Sequence, residues 1–182
     1  MKFGAILLGV LSSVASLCAG AAGFILSSPL EYQVFQRSDQ SSGVLTISGQ
    51  LNEPASKPTK IQVKFGPFQP AQSDGSISTL GVVPKGESQF SFPSRHLAGG
   101  WHRLDVQAVA GETIVGQVVV EHVGIGEIFV IAGQSNSANH GEEKQKVNIH
   151  KVSTFDGKSW RIADDPQPGA SGRGGSFIPP FA

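Results

Sequence analysis

The amino-acid sequence predicts an all-β sandwich followed by the beginning of an α/β domain, and three observations support this. Residues 27–125 alternate apolar and polar positions in short runs between turn residues, as antiparallel strands with one buried face do. Residues 128–132 are apolar without interruption, which is typical of a strand buried on both faces of a parallel sheet. The chain also contains 23 Gly and 11 Pro among its 182 residues, which favours strands and turns over helices.

Seven runs in the N-terminal part are predicted to form the strands of an immunoglobulin- or fibronectin III-like sandwich. They are Leu30–Gln36, Val44–Leu51, Lys60–Phe65, Leu80–Val83, Gln89–Phe92, Trp101–Val109 and Thr113–Val120. Trp101 has two interpretations, a platform for stacking on a carbohydrate or a corner aromatic that packs against the sandwich. We favour packing, because aromatic side chains supply much of the packing energy in small sandwiches. The alternation ends at Gly124–Gly126, where we place the domain boundary.

The first 21 residues have the pattern of a secretory signal peptide. Lys2 supplies a positive charge, residues 3–17 are uncharged and mostly apolar, and Ala19-Gly20-Ala21 offers small residues for cleavage. The run is short for a membrane anchor. Cys18 is the single cysteine, and the bulky Leu17 before it disfavours a lipoprotein. Cleavage near Ala21 would leave no cysteine, so we expect a secreted or periplasmic bacterial protein.

Charge and histidine spacing argue against several classes of partner. Lys+Arg and Asp+Glu both number 14, so the formal net charge is zero, and nothing in it predicts binding to nucleic acid or to an anionic membrane. His96, His102 and His122 lie in strands or at their ends without the Cys, His or Asp spacing of a metal site. We therefore expect no metal, and we expect these histidines at the surface or at sheet edges.

A small polar cluster, Gly133-Gln134-Ser135-Asn136, follows the apolar run directly. In open α/β sheets, chemistry collects at the carboxyl ends of strands, so Ser135 is well placed to act as a nucleophile. A serine nucleophile needs a base, usually a histidine, and N–H donors that stabilise the oxyanion. The alternative is a surface turn in which Ser135 and Asn136 only cap the start of a helix.

This cluster, behind the apolar run Ile128–Ala132, resembles the first block of the SGNH/GDSL esterase superfamily. Within that superfamily it is similar to the sialate O-acetylesterase-like branch, which includes carbohydrate acetylesterases. A Pro/Gly-rich loop like Asp165–Ser176 often follows the nucleophile in this branch. The resemblance covers about residues 126–182.

The resemblance implies a role for each residue of the block. Ser135 would be the nucleophile and, through its N–H, an oxyanion donor. Gln134, Asn136 and Gly133 would shape the site or bind substrate. The substrate would be an acetylated carbohydrate, hydrolysed through an acetyl-serine intermediate without a metal or an organic cofactor.

The family also uses residues that this sequence does not show. They are an oxyanion Gly, a side-chain Asn or Gln donor, and an Asp-x-x-His near the C-terminus. The histidines after Ser135 are His140 and His150, and neither has an Asp three residues before it. The glycines of residues 172–175 lack a preceding apolar strand.

We therefore expect residues 126–182 to be the incomplete beginning of an esterase domain, with 164–182 as a loop or disordered. A βαβ unit needs roughly 30 or more residues, so this tail has room for one such unit. Such a fragment would be inactive alone. The alternative is a secreted sandwich module that binds glycan or a partner protein and carries a vestigial catalytic segment.

Overall fold

The computed structural model describes residues 23–67, 76–148 and 151–181, so the predicted signal peptide lies outside the described residues. Strands make up about half of the chain, and helix is limited to single turns. The strands are β1 (Phe24–Ser28), β2 (Gln33–Gln36), β3 (Ser42–Leu51), β4 (Thr59–Pro67), β5 (Ser78–Val83), β6 (Gln89–Leu97), β7 (Trp101–Ala110), β8 (Thr113–Gly126), β9 (Ser153–Phe155) and β10 (Trp160–Ile162). A 3-10 turn spans Ser135–Ala138, and one helical turn, α1, spans Ile178–Phe181.

Two sheets form the N-terminal part, one with the order β1-β3-β6 and one with the order β2-β8-β7-β4-β5. Neighbouring strands are antiparallel except β2 and β8, which are parallel. Each of the seven predicted runs overlaps one of the strands β2 to β8, while β1 was not predicted. The mostly-β prediction is confirmed, and membership in the immunoglobulin or fibronectin III class stays a prediction.

Both sheets contribute to a shared hydrophobic core, as in a β-sandwich. Leu45 and Ile47 of β3 and Leu104 and Val106 of β7 all belong to this cluster, and all four are fully buried. Burying one such side chain contributes about 1.5–3 kcal/mol, which is why the alternating pattern decides which face turns inward. Gly81 of β5 lies against the Phe92 ring of β6, where a Cβ would come within 2.2 Å of a ring atom.

The three histidines expected at the surface or at sheet edges are all half-buried. β6, which carries His96, is an edge strand, but His102 and His122 lie on the inner strands β7 and β8. The rings of His96 and His102 stack on Phe65, with centroids at 3.8 Å and 4.6 Å. Burial lowers the pKa of His96 to about 4, with repulsion from His102 adding to the effect, and burial also lowers the pKa of His102. The neutral imidazoles therefore belong to the packing at this end of the sandwich.

Trp101 packs across the outer face of the five-stranded sheet. Its ring lies about 3.0 Å from where a Cβ on Gly124 would stand. Its ring is roughly perpendicular to those of Tyr32 and His122, at centroid distances of 5.6 Å and 5.9 Å. Gly124 therefore leaves room for the indole, which agrees with the packing role favoured from the sequence.

The predicted buried strand over Ile128–Ala132 is wrong for this structure. These residues have no regular secondary structure, and all are exposed, with Val130 93% exposed. An inner strand needs a neighbour on each side to pair its N–H and C=O groups, and no strand of the described residues lies alongside this run. The beginning of an α/β domain therefore stays a prediction.

The run nevertheless leaves the sandwich in a defined direction. Glu127 accepts hydrogen bonds from Gln36 Nε2 (2.7 Å) and Arg37 Nε (2.5 Å), and Gln36 Oε1 accepts the Ile128 N–H (2.8 Å). The bonds from Gln36 and Arg37 lower the pKa of Glu127, and the bond from Gln36 has the larger effect. They clamp the chain where β8 ends.

Beyond this clamp, polar contacts organise the described residues 127–148 and 151–181, here called the tail. A hairpin turns at Asp156-Gly157, where β9 pairs antiparallel with β10. Residues 164–177 form the predicted loop, and it is ordered by hydrogen bonds. The buried residues of the tail include Asn139, Gln167 and Ser176 beside a small apolar set.

Candidate active site

Ser135 occupies a strained position at the start of a tight turn. Gln134 before it is extended, with φ −131° and ψ −179°. Ser135 itself has φ 57°, a left-handed conformation that is uncommon for a residue other than glycine. A single 3-10 turn follows and closes at Asn139, which is also left-handed at φ 62°.

Backbone and side-chain hydrogen bonds hold this turn. Ser137 Oγ donates to the Gln134 carbonyl (3.0 Å), and the His140 N–H donates to the Ser135 carbonyl (3.1 Å). A Cβ on Gly133 would come within 2.5 Å of Ser137 Oγ, so a glycine lets the turn close.

The four predicted site residues, Gly133, Gln134, Ser135 and Asn136, are together on this turn and all are exposed. Within the described parts of the chain, neither the Ser135 hydroxyl nor the Ser135 N–H has a hydrogen-bond partner. An exposed hydroxyl beside an available N–H is the arrangement that attack on an ester and stabilisation of its oxyanion require.

Asn139 connects the turn to the loop that follows β10. Its Oδ1 accepts the Gln167 N–H (2.8 Å), and its Nδ2 donates to the Gln167 carbonyl (2.8 Å). The amide side chain thus pairs with one backbone unit in both directions. Asn139 is 1% exposed and Gln167 5%, so water does not replace these bonds.

A ladder of backbone hydrogen bonds continues this connection. The N–H groups of Gly172 and Gly174 donate to the carbonyls of Ala138 (2.9 Å) and Asn139 (2.8 Å). Gly141 and Gly175 exchange two bonds of 2.9 Å. A Cβ on Gly172 would lie 2.2 Å from the Asn139 carbonyl oxygen, so the glycines permit the close approach.

Asp165 anchors the other side of the loop. Its carboxylate accepts hydrogen bonds from Ser176 Oγ (2.6 Å), the Ser176 N–H (2.8 Å), the Gln145 N–H (3.0 Å) and Gln167 Nε2 (3.1 Å). Burial would raise the pKa of Asp165, but these four bonds outweigh it and the pKa is lowered. The ionised carboxylate therefore holds three segments of the tail together.

The histidine nearest in sequence to Ser135 is engaged elsewhere. His140 Nε2 lies 3.0 Å from Ser171 Oγ, and both residues are exposed. Among the described residues, no imidazole contacts Ser135. His150 lies outside them. The structure thus brings the block residues together without joining a base to Ser135.

Sequence reasoning missed Asn139, Asp165 and Gln167, which organise the loop around the block. The sequence did contain a signal for Asn139, because Asn tolerates the left-handed conformation that ends a tight turn. The pairing of Asn139 with Gln167 spans 28 residues, and no local pattern announces it.

The described ranges 23–67, 76–148 and 151–181 hold neither a metal cluster nor a membrane-spanning helix. No group of three or more His, Cys, Asp or Glu side chains in them is arranged to hold a metal ion. Nor do they contain a helix of the length and apolarity needed to cross a bilayer.

No protein-family model matches this chain, and no curated protein matches it.

Proposed function

We propose that this chain carries the nucleophile of an exported serine esterase of the SGNH/GDSL type, similar to the sialate O-acetylesterase-like branch. Ser135 attacks the acetyl carbonyl of an acetylated carbohydrate, and water then hydrolyses the acetyl-serine. The observation that supports this most is the exposed Ser135 hydroxyl, free of any described partner and set in a left-handed turn directly after an apolar run.

The backbone conformation at Ser135 supports the proposal independently of the motif. A non-glycine residue in the left-handed region costs on the order of 1–2 kcal/mol. Such strain persists where the surrounding contacts impose it, and it is concentrated at functional sites.

The proposal requires two components that the described residues do not supply. The first is a base within hydrogen-bonding reach of Ser135. The second is a partner surface that covers Ile128–Ile131, whose residues are 38–93% exposed.

The test uses the complete reading frame that contains this chain. We expect hydrolysis of p-nitrophenyl acetate and of acetylated xylo-oligosaccharides, and Ser135→Ala should reduce kcat by at least about 10³-fold. Ser78→Ala is the matched control, because it removes an exposed hydroxyl on β5, away from the Ser135 turn. Hydrolysis that survives in Ser135→Ala would refute the assignment.

A second candidate function, glycan binding by the sandwich, is favoured by a groove on the outer face of the three-stranded sheet. The groove has a volume of about 850 Å³, within the range of ligand sites. Its polar lining carries no charge and consists of Ser27, Ser48, Gln50, Asn52, Gln89 and Ser91. Hydroxyl and amide groups match the hydrogen-bonding chemistry of a neutral sugar.

Titration of the full chain with xylohexaose, followed by NMR, tests the second candidate. Gln50 and Gln89 are directly opposed on β3 and β6. Replacing both with Ala should weaken binding about tenfold, since two lost hydrogen bonds remove about 1.4 kcal/mol. Gln107→Ala, on the other sheet, is the control. No shift of the groove resonances at millimolar sugar would exclude this function.

A further inference from the structure

A serine and a histidine outside the Gly-Gln-Ser-Asn block meet in the tail. We propose that Ser171 and His140 form a second nucleophile–base pair, which accepts an acyl group from an activated ester. The pair does not use Ser135, so this inference goes beyond the proposed esterase site and does not depend on it.

The geometry is that of an activated hydroxyl. Ser171 Oγ lies 3.0 Å from His140 Nε2, within the 2.6–3.2 Å reach that a general base requires. In the tautomer with Nε2 unprotonated, the imidazole accepts the Ser171 hydroxyl proton. Both residues are exposed, so an ester can approach the hydroxyl from solvent.

Each partner stands on a segment held by its neighbours. His140 follows the buried Asn139 and precedes the Gly141–Gly175 bridge. On the other segment, the Gly172 N–H, directly after Ser171, donates to the Ala138 carbonyl (2.9 Å). The backbone therefore fixes the spacing of the two side chains, and this pre-organisation favours attack over a chance contact between flexible loops.

The surroundings of Ser171 decide which esters it can use. Its neighbours Ala170 and Gly172 are small, and its N–H has no acceptor among the described residues, so that group is available to an oxyanion. In the same residues, His140 Nδ1 has no carboxylate or carbonyl partner to orient the ring. Without this third group we expect slow deacylation, so the acyl-serine accumulates and the reaction suits esters with a good leaving group.

The step balances without a further reactant. The Ser171 Oγ–H proton passes to His140 Nε2 while Oγ forms a bond to the acyl carbon. The tetrahedral intermediate collapses, the bond from the acyl carbon to the leaving oxygen breaks, and that oxygen leaves as the alkoxide or phenolate. The imidazolium returns the proton to it or to water.

The test incubates the folded chain with p-nitrophenyl acetate and locates the acetyl group by peptide mass spectrometry. We expect acetylation at Ser171, with a burst of p-nitrophenol close to one equivalent. His140→Gln should slow this acetylation at least tenfold, and Ser171→Ala should abolish it at that peptide. Ser78→Ala, which removes an exposed hydroxyl on β5, is the control and should leave it unchanged.

Two results would overturn the inference. One is acetyl only at Ser135, which would support the proposed function and not this pair. The other is acetylation of Ser171 at equal rates in the wild type and His140→Gln, which would show an ordinary surface hydroxyl. Amide exchange at Gly174 checks that the His140→Gln loop is folded, and Ser171→Ala supplies a second variant that removes only an exposed hydroxyl.

Discussion

Replacing Asn139 by Ala should open the loop that faces the Ser135 turn. The substitution removes both 2.8 Å bonds to Gln167 and leaves the buried Gln167 N–H and C=O without partners. An unsatisfied buried group costs about 1–3 kcal/mol, so two cost about 2–4 kcal/mol when the loop relaxes in part. Alanine at φ 62° adds about 1 kcal/mol. The expected local destabilisation is about 3–5 kcal/mol.

Native-state hydrogen exchange measures this loss where it occurs. The Gly172 and Gly174 amides donate to the carbonyls of residues 138 and 139, so their protection reports the closed loop. At about 1.4 kcal/mol per decade, their exchange should accelerate by at least roughly 100-fold in Asn139→Ala. The Leu104 amide in the sandwich should be unaffected.

Asn139→Gly separates the two contributions to this cost. It loses the same hydrogen bonds but carries no left-handed penalty, so it should be more stable than Asn139→Ala by about 1 kcal/mol. Unchanged Gly174 protection in the alanine variant would show that the Asn139–Gln167 pairing does not hold the loop.

Two further predictions concern the sandwich. Stability should fall as pH decreases from 7 to 5, because the unfolded chain binds protons near 6.5 while the folded-state pKa of His96 is about 4. The full pKa shift of His96 would lower the free energy of unfolding by about 2 kcal/mol over this range, and solvent screening halves that loss. His96→Gln should therefore reduce the pH dependence of stability, measured from urea midpoints, by about 1 kcal/mol. An equally steep pH dependence in that variant would rule out His96 as the cause. Gly81→Ala should destabilise by about 1–3 kcal/mol through the clash with Phe92, and calorimetry of the double variant with Phe92→Leu should show a smaller loss than the sum of the two single changes. If the losses of stability in the two single variants add up to the loss in the double variant, positions 81 and 92 do not interact sterically.

The sandwich was largely predictable because its information is local. In β7, Leu104, Val106 and Ala108 alternate with Arg103 and Asp105, and a period of two assigns the faces without knowledge of the partner strands. β1 escaped prediction because it is short and pairs only with β3, which lies about 20 residues away in the sequence.

The error at Ile128–Ala132 has a different physical origin. Hydrophobic runs predict burial only when other elements are present to cover them, and this condition does not appear in the run itself. The Gly-Gln-Ser-Asn motif identified residues that lie together on one turn. The hydrogen bonds that join Asn139 to Gln167 and Asp165 to Ser176 connect residues that are distant in the sequence. Single-sequence patterns do not encode such contacts.

The balance of buried groups in the tail has a calorimetric consequence. Exposing apolar surface raises the heat capacity of unfolding, and exposing polar surface lowers it. Asn139, Gln167 and Ser176 are buried in the tail beside small apolar residues such as Ala163, whereas the sandwich buries a large aliphatic core. The tail should therefore melt with a low heat-capacity increment for its length, and cooling should weaken it less than it weakens the sandwich.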